Sequence, residues 1–430
     1  MTGRISFTAS LSALVIITVV GGPLTGCGST DEKTAAPLPA PEVPRSLDKG
    51  LLLALSQFEI SPEGKVLPKP GPALLEILTR KDGEWHTQKI EDDESNVFHK
   101  AMVYAPPGKD PGILTLGGNA ASVKLWRKTA SGFEAEVFWR AVFGGENNRM
   151  RDVEIAPLIE NDASDLAVAT HDQGVVAVLR PLAAGGFQVI EIDRQKDTFV
   201  HEIEIGDLDG DGVLEVYATP SEPNRLDGTP QSGKVVRYIP GKRQGRFVVA
   251  DLGNRHAKEI LVGDVDGDGR DELYVSVEGE VEDSHLKHPV EIRRYDAGTE
   301  PTGGAPIAAI EDHLCRFLTA GDVDGDGKRE MVAAAMKSGL WLLRPQHDPK
   351  KAWSVTSIDK DSSGFEHASL LTDLDGDGTD ELYVASDDQG EVRRYVWTGR
   401  GFARQTIFKR PVPGSVFTWN LMPVPVDMVK

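Results

Sequence analysis

The chain predicts an all-β fold, a β-propeller of seven four-stranded antiparallel blades, and three observations carry that expectation. A nine-residue Asp-rich segment recurs four times at intervals of 51 to 58 residues. Each copy sits between short apolar or alternating runs of strand length. The two ends of the chain read as complementary parts of one more unit.

The four copies are Asp207-Leu-Asp-Gly-Asp-Gly-Val-Leu-Glu215, Asp264-Val-Asp-Gly-Asp-Gly-Arg-Asp-Glu272, Asp322-Val-Asp-Gly-Asp-Gly-Lys-Arg-Glu330 and Asp373-Leu-Asp-Gly-Asp-Gly-Thr-Asp-Glu381. Runs such as Ile203-Glu-Ile-Gly206 and Ile260-Leu-Val-Gly263 lead into the loops, and Glu381-Leu-Tyr-Val-Ala385 leads out. A third strand follows a Gly-containing turn, as in Gly233-Lys-Val-Val-Arg-Tyr238 and Gly390-Glu-Val-Arg-Arg-Tyr395. A fourth opens near Phe247, Trp353 or Phe402, which makes each unit a four-stranded meander.

Extending the period backwards finds copies without the acids. Asp165-Leu-Ala-Val-Ala-Thr-His-Asp-Gln-Gly174 matches Glu381-Leu-Tyr-Val-Ala-Ser-Asp-Asp-Gln-Gly390, but Pro157, Ile159 and Asn161 replace Asp373, Asp375 and Asp377. A further copy spans Met102 to Trp139, with Ser122–Arg127 as third strand and Gly132-Phe133 opening the fourth. Ala73–Arg80 with Gly83-Glu-Trp85 reads as the outer part of a seventh unit, and Phe417–Val424 as an inner strand with nothing after it. Blades that pack on two neighbours must close or leave apolar faces bare, so the termini are expected to share a blade. The domain is expected to span 46–430, with six or eight blades as the alternatives.

Oxygen ligands at alternate positions of a tight loop suit calcium, a hard cation that accepts six to eight oxygens, and glycines permit the sharp backbone path. Positions 1, 3 and 5 are Asp207, Asp209, Asp211; Asp264, Asp266, Asp268; Asp322, Asp324, Asp326; and Asp373, Asp375, Asp377. Position 9 is Glu215, Glu272, Glu330 or Glu381. Position 7 varies, Val213, Arg270, Lys328 and Thr379, as expected of a residue offering only its carbonyl. An EF-hand needs an acid at position 12, where Ala218, Val275, Ala333 and Val384 stand. Hairpin turns alone do not require three aspartates and a glutamate at fixed spacing four times over.

Over residues 97–395 these loops and blades resemble the FG-GAP or VCBS repeats of integrin-α-type propellers, whose Asp-x-Asp-x-Asp-Gly-x-x-Asp loop binds calcium between two strands. Glu at position 9 departs from that pattern. The resemblance implies about four calcium ions, and it is not specific for a biological role.

The N-terminus adds an address. Arg4 precedes a mostly apolar Ile5–Val20 and small residues up to Leu24-Thr25-Gly26-Cys27, an export signal expected to occupy 1–26. The tetrapeptide resembles the bacterial lipobox, which implies cleavage before Cys27 and its acylation; a bare signal peptide or an uncleaved anchor is the alternative. Gly28 after that Cys resembles the pattern sent to the outer membrane, so a lipid-anchored protein of the bacterial cell envelope is expected. Residues 27–45, rich in Ser, Thr, Ala and Pro, read as a flexible tether.

With 40% hydrophobic and 27% charged residues, the body has no later run near the roughly 18 apolar residues of a membrane span. Its net charge of −20 repels nucleic acid, leaving the membrane anchor and a protein or glycan ligand as partners. Apart from Cys27 there is only Cys315, in the apolar stretch His313-Leu-Cys-Arg-Phe-Leu318, and it reads as a buried structural thiol.

No Gly-x-Ser-x-Gly, His-Glu-x-x-His, Walker or dinucleotide motif occurs. The leading expectation is a calcium-stabilised binding module. An enzyme acting on polysaccharide, or an envelope-assembly scaffold, could use the same frame. Six residues before the loops stand His201, Lys258, Arg316 and His367, and Arg151 before the eroded copy. All five are basic and open innermost strands, so they are expected around the channel mouth, ready for an anion such as a uronate or phosphate. The alternative is pairing across blades with acids such as Asp152, Glu202 and Glu259.

Overall fold

A computed structural model describes residues 41–118, 121–144, 148–159, 164–171, 173–182, 186–222, 232–242 and 244–430; the export signal, Cys27, most of the tether and Asn161 lie outside these. Seven four-stranded antiparallel sheets form seven blades. Six follow the chain, with innermost strands Phe98–Tyr104, Met150–Ala156, Phe199–Gly206, Ala257–Gly263, Cys315–Gly321 and Ser369–Thr372 in blades 2 to 7. Blade 1 is composite: Val416–Pro425 is innermost, followed outwards by Lys49–Ile60, Val66–Lys81 and Glu84–Asp92. Consecutive innermost strands pack against one another around the circle, and Val416–Pro425 closes it by touching Phe98–Tyr104 and Ser369–Thr372.

Burial explains the residue types. The second strands Glu272–Val277, Glu330–Ala335 and Glu381–Ser386 are buried at every position. Each is covered on both faces by neighbouring blades, hence runs such as Met331-Val-Ala-Ala-Ala335 in place of polar alternation. Outermost strands such as Phe402–Lys409 mix buried with exposed positions because they form the rim.

The closing blade is packed on both faces through apolar side chains. Leu51, Leu53 and Leu55 pack with Leu374 and Tyr383 of blade 7, while Leu52 and Ala54 pack with Phe98, Ile113 and Trp126 of blade 2. Each fully buried leucine contributes about 2 kcal/mol of transfer free energy. Lys49 pairs with Pro425 and Gln57 with Val416, so the expected sharing of a blade by the two termini is present. The strand Lys49–Ile60 itself was not foreseen from the sequence. It and its partner project past the end of the innermost strand, Ile60 opposite Val66. A second unforeseen hairpin, Glu280–Glu282 with His285–His288, projects from blade 5 at the same end.

Cys315 is buried, and burial pushes its thiol up to about 12. It packs with Ile310, Leu318 and Ala335, in keeping with a structural role.

Candidate metal loops and channel mouth

All four Asp-rich segments connect an innermost strand to the second strand of its blade, which puts them at one end of the ring. In blade 7, Gly376 (φ 77°) and Gly378 (φ 92°) hold left-handed backbone that a side chain would strain. Their amides donate to Asp373 Oδ1 at 2.6 Å and Oδ2 at 3.1 Å. The same nest surrounds Asp264, which takes Gly267 and Gly269 amides at 2.7 and 2.9 Å. The position-7 amides of Val213, Arg270, Lys328 and Thr379 donate to the position-5 carboxylates at 2.8 to 3.0 Å.

These turns converge carboxylates. Ligand oxygens of Asp264, Asp266, Asp268 and Glu272 lie within 4.8 Å of one another, as do those of Asp373, Asp375, Asp377 and Glu381. In blade 4 the group is Asp207, Asp209 and Asp211 without Glu215; in blade 6 it is Asp322, Asp324 and Glu330 without Asp326.

Beneath each loop lies an arginine from the third strand, which the sequence reading missed. Arg394 Nη2 donates to Asp375 Oδ2 at 2.7 Å and to Glu381 Oε1 at 2.8 Å. Arg294 reaches Asp266 at 2.6 Å and Glu272 at 3.2 Å, and Arg237 reaches Asp209 at 3.2 Å and Glu215 at 2.7 Å. The second oxygen of Glu272 and Glu381 accepts a tyrosine hydroxyl, from Tyr274 and Tyr383, each at 3.0 Å. Tyr217 does the same for Glu215. The signal was visible as an Arg-Tyr pair closing the third strand, Arg237-Tyr238, Arg294-Tyr295 and Arg394-Tyr395. Blade 6 differs: Val332 replaces the tyrosine, and Arg344 binds Asp324 at 2.7 Å but stands 3.7 Å from Glu330.

Burial pushes the carboxyls of Glu272, Glu330 and Glu381 up to about 7. With Arg394 and Tyr383 both donating to it, Glu381 orients the arginine as much as it faces the cluster. Asp375 Oδ1 and Asp324 Oδ1 are different: both are buried and have no hydrogen-bond partner. Asp375 is only 6% exposed, so an acceptor with no donor is costly unless a cation meets it. That oxygen and the all-oxygen donor set fit calcium.

At the other end of the ring Arg151, Lys258 and Arg316 meet at one pit on the channel, as the sequence led us to expect. His201 lies beside it in an arc of imidazoles, 5.7 Å from His171 and 6.1 Å from His256 between ring centres. Burial pushes His171 and His201 well below the usual histidine range. His367 corrects the expected ring. Its backbone is left-handed (φ 59°), and its ring is committed inside the blade to Ala335 O at 2.6 Å and Ser362 Oγ at 2.7 Å. The innermost strand of blade 7 begins only at Ser369, which leaves His367 in the turn before it, while Glu366 lines the pit.

Two of the anticipated acids bridge blades, and only Asp152 does so to a basic residue. Asp152 takes Lys100 Nζ at 3.0 Å and the Ile203 amide at 2.9 Å, and Glu259 takes the Leu318 amide at 2.7 Å.

No protein-family model matches the chain, and no curated protein matches its sequence. Among solved structures, Pseudomonas brassicacearum lignostilbene dioxygenase aligns with a TM-score of 0.49 at 11% identity, over 91% of this chain and 94% of that one, too loosely to carry an argument. A protein from Lactobacillus plantarum aligns with a TM-score of 0.54 at 11% identity, over 88% of this chain and 99% of its own, and at that identity the chain is similar to it in fold alone.

Proposed function

We propose that the protein is a calcium-held ligand-binding propeller, anchored to the bacterial cell envelope through a lipid on Cys27. The observation that supports it most is the buried Asp375 Oδ1, an acceptor without a donor inside a four-carboxylate cluster. Each loop binds one ion through its aspartates, with the position-9 glutamate and third-strand arginine fixing the position-3 aspartate. The ions neutralise mutual repulsion among carboxylates that would otherwise oppose folding. Rigid strands then present ligand-binding side chains at the opposite end.

Direct metal analysis of the chelated and then calcium-dialysed protein is expected to find about four ions per chain, one for each Asp-rich loop. Fewer than three would overturn the reading. The anchor is checked separately. Cys27→Ser is expected to shift the protein to the soluble fraction or leave an uncleaved precursor, and a cleaved variant that still requires detergent would contradict acylation.

A further inference from the structure

The channel mouth gathers more cations than its carboxylates satisfy. Arg151, Lys258 and Arg316 occupy equivalent places at three innermost strands and line the same pit. Glu366 serves two of them, its Oε1 2.8 Å from Arg316 and its Oε2 3.9 Å from Arg151, and Glu278 Oε1 stands 3.9 Å from Arg316 as a second, looser partner. Lys258 has no ion pair within 4.0 Å among the described residues.

The other acids at the pit are occupied. Asp152 is held by Lys100 and by the Ile203 amide. Burial, and then Asp152 and Glu259 nearby, pushes Glu202 well above the usual carboxylate range, so it tends to keep its proton. Burial, with Arg316 next, pushes the Lys258 ammonium down to about 8. A negative charge arriving beside it would relieve that pressure. The two arginines are also fixed in direction. Arg151 lies 5.3 Å from the Trp419 ring centre and Arg316 4.6 Å from that of Phe365.

The free volume is small, about 20 Å³, enough for one water molecule or one oxygen of an anionic head group. A whole sugar ring does not fit. We propose that this pit takes the terminal oxyanion, carboxylate or phosphate, of a ligand whose body stays outside, with Lys258 and Arg316 as its donors. Glu366, held by Arg316 and facing Arg151, is the internal carboxylate with which an external anion would compete. The inference rests on the reading of this end of the ring as the ligand-binding end. The hairpins of blades 1 and 5 project from the same end of the ring, where the body of a ligand would lie.

Glucuronate, glucose 1-phosphate and glucose share one body and differ in their anion. Each is titrated calorimetrically into the calcium-loaded full chain at low salt. The charged sugars are expected to bind and glucose not, and the tighter of the two identifies the head group. Lys258→Met is expected to weaken the better ligand at least tenfold, and Glu366→Gln to strengthen it by removing the internal competitor. Binding of glucose equal to that of the anions, no binding of either anion, or Lys258→Met binding like the wild type would overturn the proposal. Calcium stoichiometry measured on the same samples separates this from the proposed function: full calcium loading without anion binding rejects the pit alone.

Discussion

Residues 157–159 of blade 3 stand where 373–375 begin the metal loop of blade 7, and the two segments differ in chemistry. In blade 7 three aspartates and a glutamate meet over Arg394 and Tyr383. In blade 3 Pro157 and Ile159 stand where the first two aspartates would be, and Leu158 packs into the apolar core between blades. The partners underneath change with them. Ala167 stands where Tyr383 does, and the residue facing it across the sheet is Val178, where blade 7 has Arg394. One link survives: Asp165, at the glutamate position, accepts the Ile159 amide at 3.1 Å and still ties the turn to its strand. Acids, arginine and tyrosine therefore form one unit. A buried guanidinium is tolerable only where carboxylates surround it, and where Pro157 and Ile159 replace the first two aspartates the arginine's place is taken by Val178.

The largest test of that contrast removes the ions. Excess chelator is expected to accelerate hydrogen exchange in the turns 207–215, 264–272, 322–330 and 373–381, leave the turn of blade 3 unchanged, and lower the melting temperature by many degrees. Each site held at a hundredfold excess of calcium over its dissociation constant adds about 2.7 kcal/mol. Uniform exchange changes around the ring, or melting indifferent to calcium, would break the contrast.

A smaller effect should separate blade 7 from blade 6. Arg394→Leu leaves Asp375 and Glu381 buried without their cation and is expected to cost about 3 kcal/mol in chelator. Arg344→Leu is expected to cost less than half of that, because Arg344 is 28% exposed and reaches Glu330 only at 3.7 Å. Equal losses in chemical denaturation would show that the arginine's burial does not set its contribution.

The smallest effect is expected from pH. Glu272, Glu330 and Glu381 have folded-state pKa values near 7, above the 4.5 of an unperturbed glutamate. Their protonated forms are favoured by folding, so the stability they contribute is fully present below about 4.5 and is lost as pH rises through about 7. The chelated protein should lose stability relative to the calcium-loaded one between pH 5 and 7.5, on the order of 1 kcal/mol for each group. Subtracting the two profiles removes the opposite slope of the buried histidines, which both samples share. A difference independent of pH would mean that these carboxyls are already ionised in the ion-free fold.

Much of this was legible because a propeller writes its period into the chain. The loop spacing, the Arg-Tyr pairs and the eroded Asp165 strand all repeat, and the terminal fragments had to belong together because no ring of blades can end in a bare face. What was not legible depended on single conformations or on insertions outside the repeat. His367 carries the right residue type at the right interval, but a left-handed backbone turns it into its blade. The polar hairpin Glu280–His288 has no counterpart in the other blades, and Lys49–Ile60 follows directly on a Pro-rich stretch that reads as linker. The arginines beneath the loops were in plain sight, but the partners that explain them lie 13 to 28 residues earlier in the chain.

If Cys27 carries the lipid we propose, the place where the chain enters the ring would decide which way the molecule faces. Pro44 O and Arg45 O accept hydrogen bonds from Arg80 and Gly83, and Lys49 Nζ donates to the carbonyl of Asp373, the first residue of a metal loop. Entry is thus at the loop end. With Cys27 in a bilayer, the 18 residues from it to Arg45 form a leash of at most about 60 Å, at roughly 3.3 Å per residue. Pulled taut, it would turn the loops towards the lipid and point the Lys258 pit away from it, so that whatever the pit holds would be displayed to the aqueous side like a plate on a short stem.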